Sequence, residues 1–419
     1  MNTYPHHPPS LPQTIRTAAA RSAAACALAL GLPAFAQTQT AAPPDPAPTA
    51  DVNTNAQRDG LTQVAHETAT EPKCALLAAL PNIATPPMTL RVYWENDGAF
   101  ADPTDSYDRG YTNGFALTLD HQPRWAQDLT PYMPFAELFA DAHDDTITAA
   151  GYVLGQLIFT PRSIDTVAPI PGDRPFAGYL YGGMYWQREA RFHGRDDAAV
   201  LDHFELNLGV VGGSSLAEDI QVWVHDNFEG KPPNGWDNQL KDEFAYQFYY
   251  RRKWRFDTGE FTMPLLGDVE SQLIPQAGLA LGSVYRHAEL AVTARVGFRL
   301  PDDFGAGRIN DLASATGETG GEPGWAWYAW GRIGGRYVEH DTFLDGSNTQ
   351  NPSPSIDKNP FVAEAQLGLS IAYCDGPYTL QFTWGLTFLT DTFDAPAGSN
   401  ADDGVTSYGT MTLSLSKDF

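Results

Sequence analysis

The sequence predicts an all-β fold: a transmembrane antiparallel β-barrel of about twelve strands, with a short helix in an extracellular loop. Three observations predict it. Apolar and polar residues alternate with period two over most of the chain from Met88 onward, the mark of strands with one apolar face. The alternating runs reach about ten residues or more, enough to cross a bilayer at a tilt, whereas soluble strands average five or six. Aromatic residues are 12% of the chain and gather at the ends of the runs (Tyr93, Trp94, Trp186, Trp254, Trp325, Trp327, Tyr373), where interfacial girdles stand. Alternation alone also suits a soluble sandwich with its apolar face turned inward. Run length and aromatic placement favour the inverse, with apolar residues toward lipid and Arg, Gln, Thr and Gly toward the lumen.

In chain order, residues 1–36 read as a secretory signal: Arg16 and Arg21, the apolar run Ala23 to Leu32, and the small-residue ending Ala34-Phe35-Ala36. Cleavage there removes two Arg and no acid, moving the formal charge from −25 to −27. Residues 37–72 are rich in Pro, Ala, Thr and Gln and bury too little to fold, so a disordered linker is expected. The barrel is assigned to 73–419. Candidate strands lie near 88–96, 111–121, 150–160, 176–190, 199–211, 242–257, 270–285, 288–300, 324–338, 360–374, 377–390 and 405–419. Phe244, Tyr246, Phe248 and Tyr250 give one of the cleanest alternations, and Tyr378, Leu380, Phe382 and Trp384 another. The last strand, with Met411, Leu413 and Leu415 before Phe419, resembles the terminal strand of exported barrels. With both ends periplasmic, 97–110, 161–175 and 212–241 face outside. Two periplasmic connections are unusually long: 122–149, which holds the helical-looking PFAELFADAH, and 301–323. Cys74 and Cys374 fall on the same side, so a disulfide between them is a hypothesis that an oxidising compartment permits.

With 51 acids against 26 bases, the chain lacks the clustered Lys and Arg that nucleic acid requires. No run of about 18–20 apolar residues follows the signal, which excludes a transmembrane helix. There is no G-x-S-x-G elbow, H-E-x-x-H, Walker loop or C-x-x-C pair. The stretch Ile220 to Leu240 breaks the alternation. Leu216, Ile220, Trp223, Val224 and Phe228 fall near helical spacing, and Gly230, Pro232 and Pro233 end the run. This predicted helix carries His225, a residue type suited to base catalysis near neutral pH, although a His on a helix is more often a plain polar residue. Ahead of it, Asn96-Asp97 and the acids Asp102, Asp105 and Asp108 supply oxygens of the type Ca²⁺ takes, or else form a solvated acidic loop. Asp173 and Arg174 read as a structural pair, and Trp236 as a packing anchor. A His base beside an oxygen-ligated cation suffices for ester hydrolysis.

Taken together, Asn96-Asp97, the run Asp-Arg-Gly-Tyr-Thr-Asn-Gly at 108–114, Gly-Asp-Arg-Pro-Phe-Ala-Gly at 172–178, and His225 with Gly-Trp-Asp-Asn-Gln at 235–239 resemble the outer-membrane lipid A 3'-O-deacylase family. The similarity covers about 88–257 with specific motifs and the rest in pattern. It implies a Gram-negative outer-membrane barrel that uses Ca²⁺ to remove the 3'-linked acyloxyacyl group of lipid A. Its partners would be lipopolysaccharide and outer-membrane lipid, and a monomer is expected. Carried over, the resemblance implies that His225 activates water and that Asn96, Asp97 and Thr112 form the metal and oxyanion environment. Two family positions depart. An expected lysine falls near Thr166, and an expected acid falls on Lys231. Glu229 is the candidate to replace that acid as a metal ligand, and Arg162 or Arg174 the candidate to replace the lysine as a substrate-binding cation. Strand phase puts Asn96 on the lipid face with Trp94 but Thr112 on the lumen face, which a bulge or an early strand end near Asn96 would reconcile. Two other readings stay open. One is an outer-membrane phospholipase, which needs a Ser nucleophile that cannot be placed; the other is a passive porin, although Arg and Tyr side chains would fill so narrow a barrel.

Overall fold

The computed structural model describes residues 87–98, 110–132, 146–191, 195, 197–229, 232–264, 267–315, 323–394 and 405–417. The expected signal, the linker and Cys74 lie outside these residues, as does the stretch containing PFAELFADAH. Twelve strands close into one antiparallel barrel in chain order. They are β1 (Met88–Asn96), β2 (Gly110–His121), β3 (Ile147–Thr160), β4 (Ala177–Arg191), β5 (Ala198–Val211), β6 (Glu243–Met263), β7 (Gly267–Gly282), β8 (Tyr285–Phe298), β9 (Gly324–Asp341), β10 (Phe361–Asp375), β11 (Tyr378–Thr390) and β12 (Val405–Lys417). Closure is made by β12 against β1, with Leu415 opposite Leu90 and Met411 opposite Trp94. Cys374 accepts a hydrogen bond from Thr379 Oγ1 at 3.4 Å.

The alternation has the sense that a bilayer demands. On β1, Thr89, Arg91, Tyr93 and Glu95 are buried in the lumen, while Leu90, Val92 and Trp94 face out. Outward Leu154, Met184, Leu206, Phe244, Leu290 and Ile333 are exposed, whereas Gln247, Arg251, Lys253, Arg295 and Arg332 are buried inside. Apolar surface left bare on this scale is stable only against hydrocarbon. No helix among the described residues is long and apolar enough to cross a membrane.

The long connection between β8 and β9 explains how the lumen is filled. Its segment 301–315 turns into the barrel and answers polar wall groups one by one. Ile309 N donates to Glu95 Oε1 at 2.9 Å, and Tyr93 Oη meets Ala313 N at 3.2 Å. Arg91 Nη2 donates to Ser314 O at 2.8 Å. Asp311 lies 2.9 Å from Lys253 Nζ, 3.7 Å from Arg332 and 3.8 Å from Arg251. Arg308 meets Glu364 at 3.0 Å and Tyr408 Oη at 3.1 Å. Arg and Tyr thus fill the barrel together with an inserted loop that had been expected only as an overlong connection.

The rim carrying connections 97–109, 161–176 and 212–242 is called the upper rim here. Short helices flank the strands: α1 (Arg124–Leu129) below, and α2 (Ala217–Val224) and α3 (Thr342–Asp345) above, with Phe343 of α3 packed on the lumen-facing Phe159 and Tyr285.

Candidate functional site

Helix α2 lies on the outside of the barrel. Leu157 and Phe159 of β3 point into the lumen core, so Ile158 between them points out. Ile158 is only 1% exposed because Ala217, Phe176 and Trp236 cover it. Leu154, lower on the same face, is 55% exposed. The close approach of helix to wall requires Gly178. A Cβ there would stand 2.1 Å from Ser215 Oγ and 2.3 Å from the Ala217 Cβ. Trp236 is the expected anchor, with its ring 4.9 Å from Phe176 and its Nε1 donating to Gln221 Oε1 at 2.8 Å.

His225 follows the last residue of α2 and opens a π-turn over His225–Glu229. It is 3% exposed, buried at the end of the helix. Gln221, one turn earlier, shares its face of the helix. The Gln221 amide nitrogen is buried and has no hydrogen-bond partner among the described residues. Sequence reading missed this residue, although its spacing of four from His225 was the available signal. Trp223 and Phe228 meet edge-on at 5.7 Å, and Phe228 is 73% exposed.

At the heads of β1 and β2, Asn96 Nδ2 donates to Thr112 O at 3.1 Å and Asp97 N donates to the same oxygen at 3.3 Å. Asn96 Oδ1 accepts from Gly98 N at 2.9 Å. The register of β2 against β3 shifts between Tyr111 and Asn113, so Thr112 is the bulged residue. Tyr111 then turns to the lumen and donates to Glu95 Oε2 at 2.7 Å. Thr112 Oγ1 meets Thr160 Oγ1 at 2.6 Å, two residues beyond Ile158 on its outward phase. The expected conflict of faces is resolved by a bulge at Thr112 on β2, not by a bulge or early strand end near Asn96, which stays in register with Asn113. Asn96, Asp97 and Thr112 therefore gather at the upper rim of β1–β3, and α2 and His225 rest on the adjoining wall of β3 and β4.

The two substitute cations separate. Asp173 engages Arg162 (3.5 Å to Nε; 2.9 Å from the backbone N to Oδ2) and the backbone N of Arg174 at 2.8 Å. The expected Asp173–Arg174 side-chain pair is thus replaced by Asp173–Arg162, because the Arg174 guanidinium turns into the lumen. There it donates to Gly110 O at 3.2 Å and stands 5.4 Å from the Phe159 ring. Burial pulls its pKa below the ordinary guanidinium value, and Asp341 and Asp173 oppose that shift. Thr166 lies in connection 161–176, which Asn234 and Asn238 tie to the α2 connection through Ile164 O, Asp165 O and Val167 O. Lys231 and the Glu229 side chain lie outside the described residues.

The Asn96, Asp97 and Thr112 donors are all oxygens, the set a hard cation such as Ca²⁺ takes. Among the described residues, no group of three or more His, Cys, Asp or Glu converges as a metal centre. From the described residues, a Ca²⁺ site here would draw on backbone, amide and hydroxyl oxygens beside the Asp97 carboxylate.

A closed twelve-stranded barrel with an apolar exterior, a filled lumen and a helix-covered rim site defines the class: an outer-membrane β-barrel protein of Gram-negative bacteria. The profile of a family described as "Outer membrane protein LpxR" matches residues 65–416. The chain belongs to that family, the lipid A 3'-O-deacylases that its rim motifs resemble. Among solved structures, LpxR from Salmonella typhimurium is similar in fold, with TM-score 0.56 and 18% identity over 79% of this chain and 100% of that one. The β domain of the Bordetella autotransporter BrkA has TM-score 0.36 and 11% identity over 80% and 99% of the two chains, a likeness too low to carry an argument. No curated protein sequence matches the chain.

Proposed function

We propose that this protein is an outer-membrane esterase that removes the 3'-linked acyloxyacyl group of lipid A. The observation that carries the reading is the position of His225: buried at the end of α2, a helix that packs on the outer face of β3 and β4, while Thr112 of the Asn96–Asp97–Thr112 group bonds to Thr160 at the head of β3. An ester whose acyl chains lie in the membrane can reach that face without entering the lumen. Membership of the LpxR family supports the substrate class.

In this reading the His225 imidazole takes a proton from a water molecule, whose oxygen attacks the ester carbonyl. The imidazolium then returns the proton to the departing sugar alkoxide. The Gln221 amide, its oxygen fixed by Trp236, presents an N–H for the oxyanion. Exposed Phe228 and half-buried Trp223 give the acyl chains an apolar edge. Asp97 and Asn96, with Glu229 as a further candidate, would hold Ca²⁺, which when bound supplies Lewis-acid stabilisation of the developing negative charge.

The filled lumen argues against a passive porin. To separate deacylase from phospholipase, the purified protein in detergent is offered lipopolysaccharide and phospholipid vesicles side by side. Lipopolysaccharide is expected to lose the 3' acyloxyacyl group, and a Ca²⁺ chelator is expected to stop the reaction. Acyl loss from phospholipid alone would overturn the assignment.

A further inference from the structure

The upper lumen encloses a cavity of about 210 Å³, on the opposite side of the wall from His225. At roughly 30 Å³ per water this is room for about seven waters, the scale of one sugar ring. Its floor is Arg308 to Asn310 of the inserted loop, and the rings of Tyr111, Tyr285 and Phe393 stand around it. Two guanidiniums in its wall lack close acidic partners. Arg174 is 6% exposed and bonds only to neutral groups, Gly110 O and Thr392 Oγ1, besides its own backbone contact with Asp173. No carboxylate among the described residues comes within salt-bridge distance of its guanidinium. Arg336, from β9, has one distant acidic contact, 3.8 Å from Glu364, which Arg308 already holds at 3.0 Å.

The acids of the wall are mostly engaged elsewhere. Glu95 accepts from Tyr111 and Ile309 N, Glu289 from Arg251 and Gln276, and Asp173 from Arg162. Asp341 accepts from Phe343 N, and it lines the cavity with Asp391. A bare anion would meet those two carboxylates as well as the arginines. A ligand that turns one negative group toward Arg174 and Arg336 and a hydroxyl donor toward Asp341 satisfies both sides, and its ring faces suit the aromatic walls.

We propose that the upper lumen is a binding site for a sugar bearing one carboxylate or phosphate. The site is separate from the His225 face and does not rest on the deacylase reading. Its ligand is either a free sugar acid or sugar phosphate, or an anionic sugar of lipopolysaccharide entering from the rim.

The test is calorimetric titration of the full chain, folded in detergent, with glucuronate, glucose 1-phosphate and neutral glucose. Saturable binding of glucuronate or glucose 1-phosphate is expected, at least tenfold tighter than glucose. It should weaken at least tenfold in Arg174→Gln and in Arg336→Gln and stay unchanged in His225→Ala, as loss of a charge-assisted contact predicts. Heat-modifiable migration on gels checks folding. If Arg174→Gln does not fold, Arg336→Gln decides, since that side chain is 26% exposed and held by one distant contact. Absence of saturable binding by both anionic sugars, equal binding of glucose, or binding unchanged in the folded arginine variants would overturn the proposal. Displacement of bound glucuronate by purified lipopolysaccharide assigns the ligand to that source, and lack of displacement assigns it to the free sugar; both results presuppose the site.

Discussion

Gly178 is the position where a single added methyl group tests how fold and chemistry are joined. The Cβ of Gly178→Ala would lie 2.1 Å from Ser215 Oγ and 2.3 Å from the Ala217 Cβ. Ordinary contacts between such atoms are about 3.5–4 Å, so the segment leading into α2 must move outward by roughly 1.5 Å. Overpacking of this kind costs about 1–3 kcal/mol. The β4 ladder does not depend on the missing side chain: Gly178 O still accepts from Gly212 N, and Leu180 still faces Val210. The barrel should therefore fold while His225, carried by the displaced helix, is misplaced. A shift near 1 Å at a reacting group costs on the order of 10²-fold in rate. The assay is release of acyloxyacyl chains from lipopolysaccharide, with heat-modifiable gel migration as the folding check. Gly182→Ala on the same strand is the control, because the nearest atom to its Cβ is 4.0 Å away, and its activity should be unchanged. Full activity of a folded Gly178→Ala variant would refute the claim that the seating of α2 positions the base.

Further outcomes follow from the same geometry. Trp236→Phe keeps most of the packing but leaves Gln221 Oε1 without its donor; about 1–3 kcal/mol of local stability should be lost, and amide exchange in α2 should speed up. Thr112→Val removes the bond to Thr160 Oγ1 and should lower deacylation with little change in barrel melting, since one hydrogen bond contributes about 0.5–1.5 kcal/mol. Asp311→Ala leaves Lys253, Arg251 and Arg332 facing one another without their shared carboxylate, at a cost of about 3–5 kcal/mol. The inserted loop should then loosen, and planar-bilayer recordings should show conductance in the variant and little in the parent. Equal silence in both would count against the loop as the seal.

The strands were legible because a bilayer imposes one rule on all of them. Lipid-facing Leu, Phe and Ile must alternate with lumen-facing polar residues, and ends expected near 88–96 and 377–390 match β1 and β11 closely. The α2 helix and Trp236 were legible for a similar reason, since apolar spacing changes where the chain leaves the wall. Three features were not. Thr112 changes face through a bulge, which adds a residue without altering the apolar pattern enough to reveal itself. The Asp173–Arg162 pair spans eleven residues, whereas adjacency in the chain pointed to Arg174. The inserted loop carries Arg308 and Asp311 among turn residues, and its partners Lys253, Arg332 and Glu364 sit on three separate strands. Charge complementarity of that kind becomes visible only after the barrel has closed.

The most direct measurement is mass spectrometry of lipid A from cells expressing this chain and, in parallel, its His225→Ala variant at equal folded abundance. The parent should shift lipid A to a species lacking the 3' acyloxyacyl group, and the variant should leave it intact, since losing a general base costs about 10²- to 10⁴-fold. Unmodified lipid A in the parent cells, or the same loss in both, would contradict the assignment of His225 as the base of a lipid A deacylase.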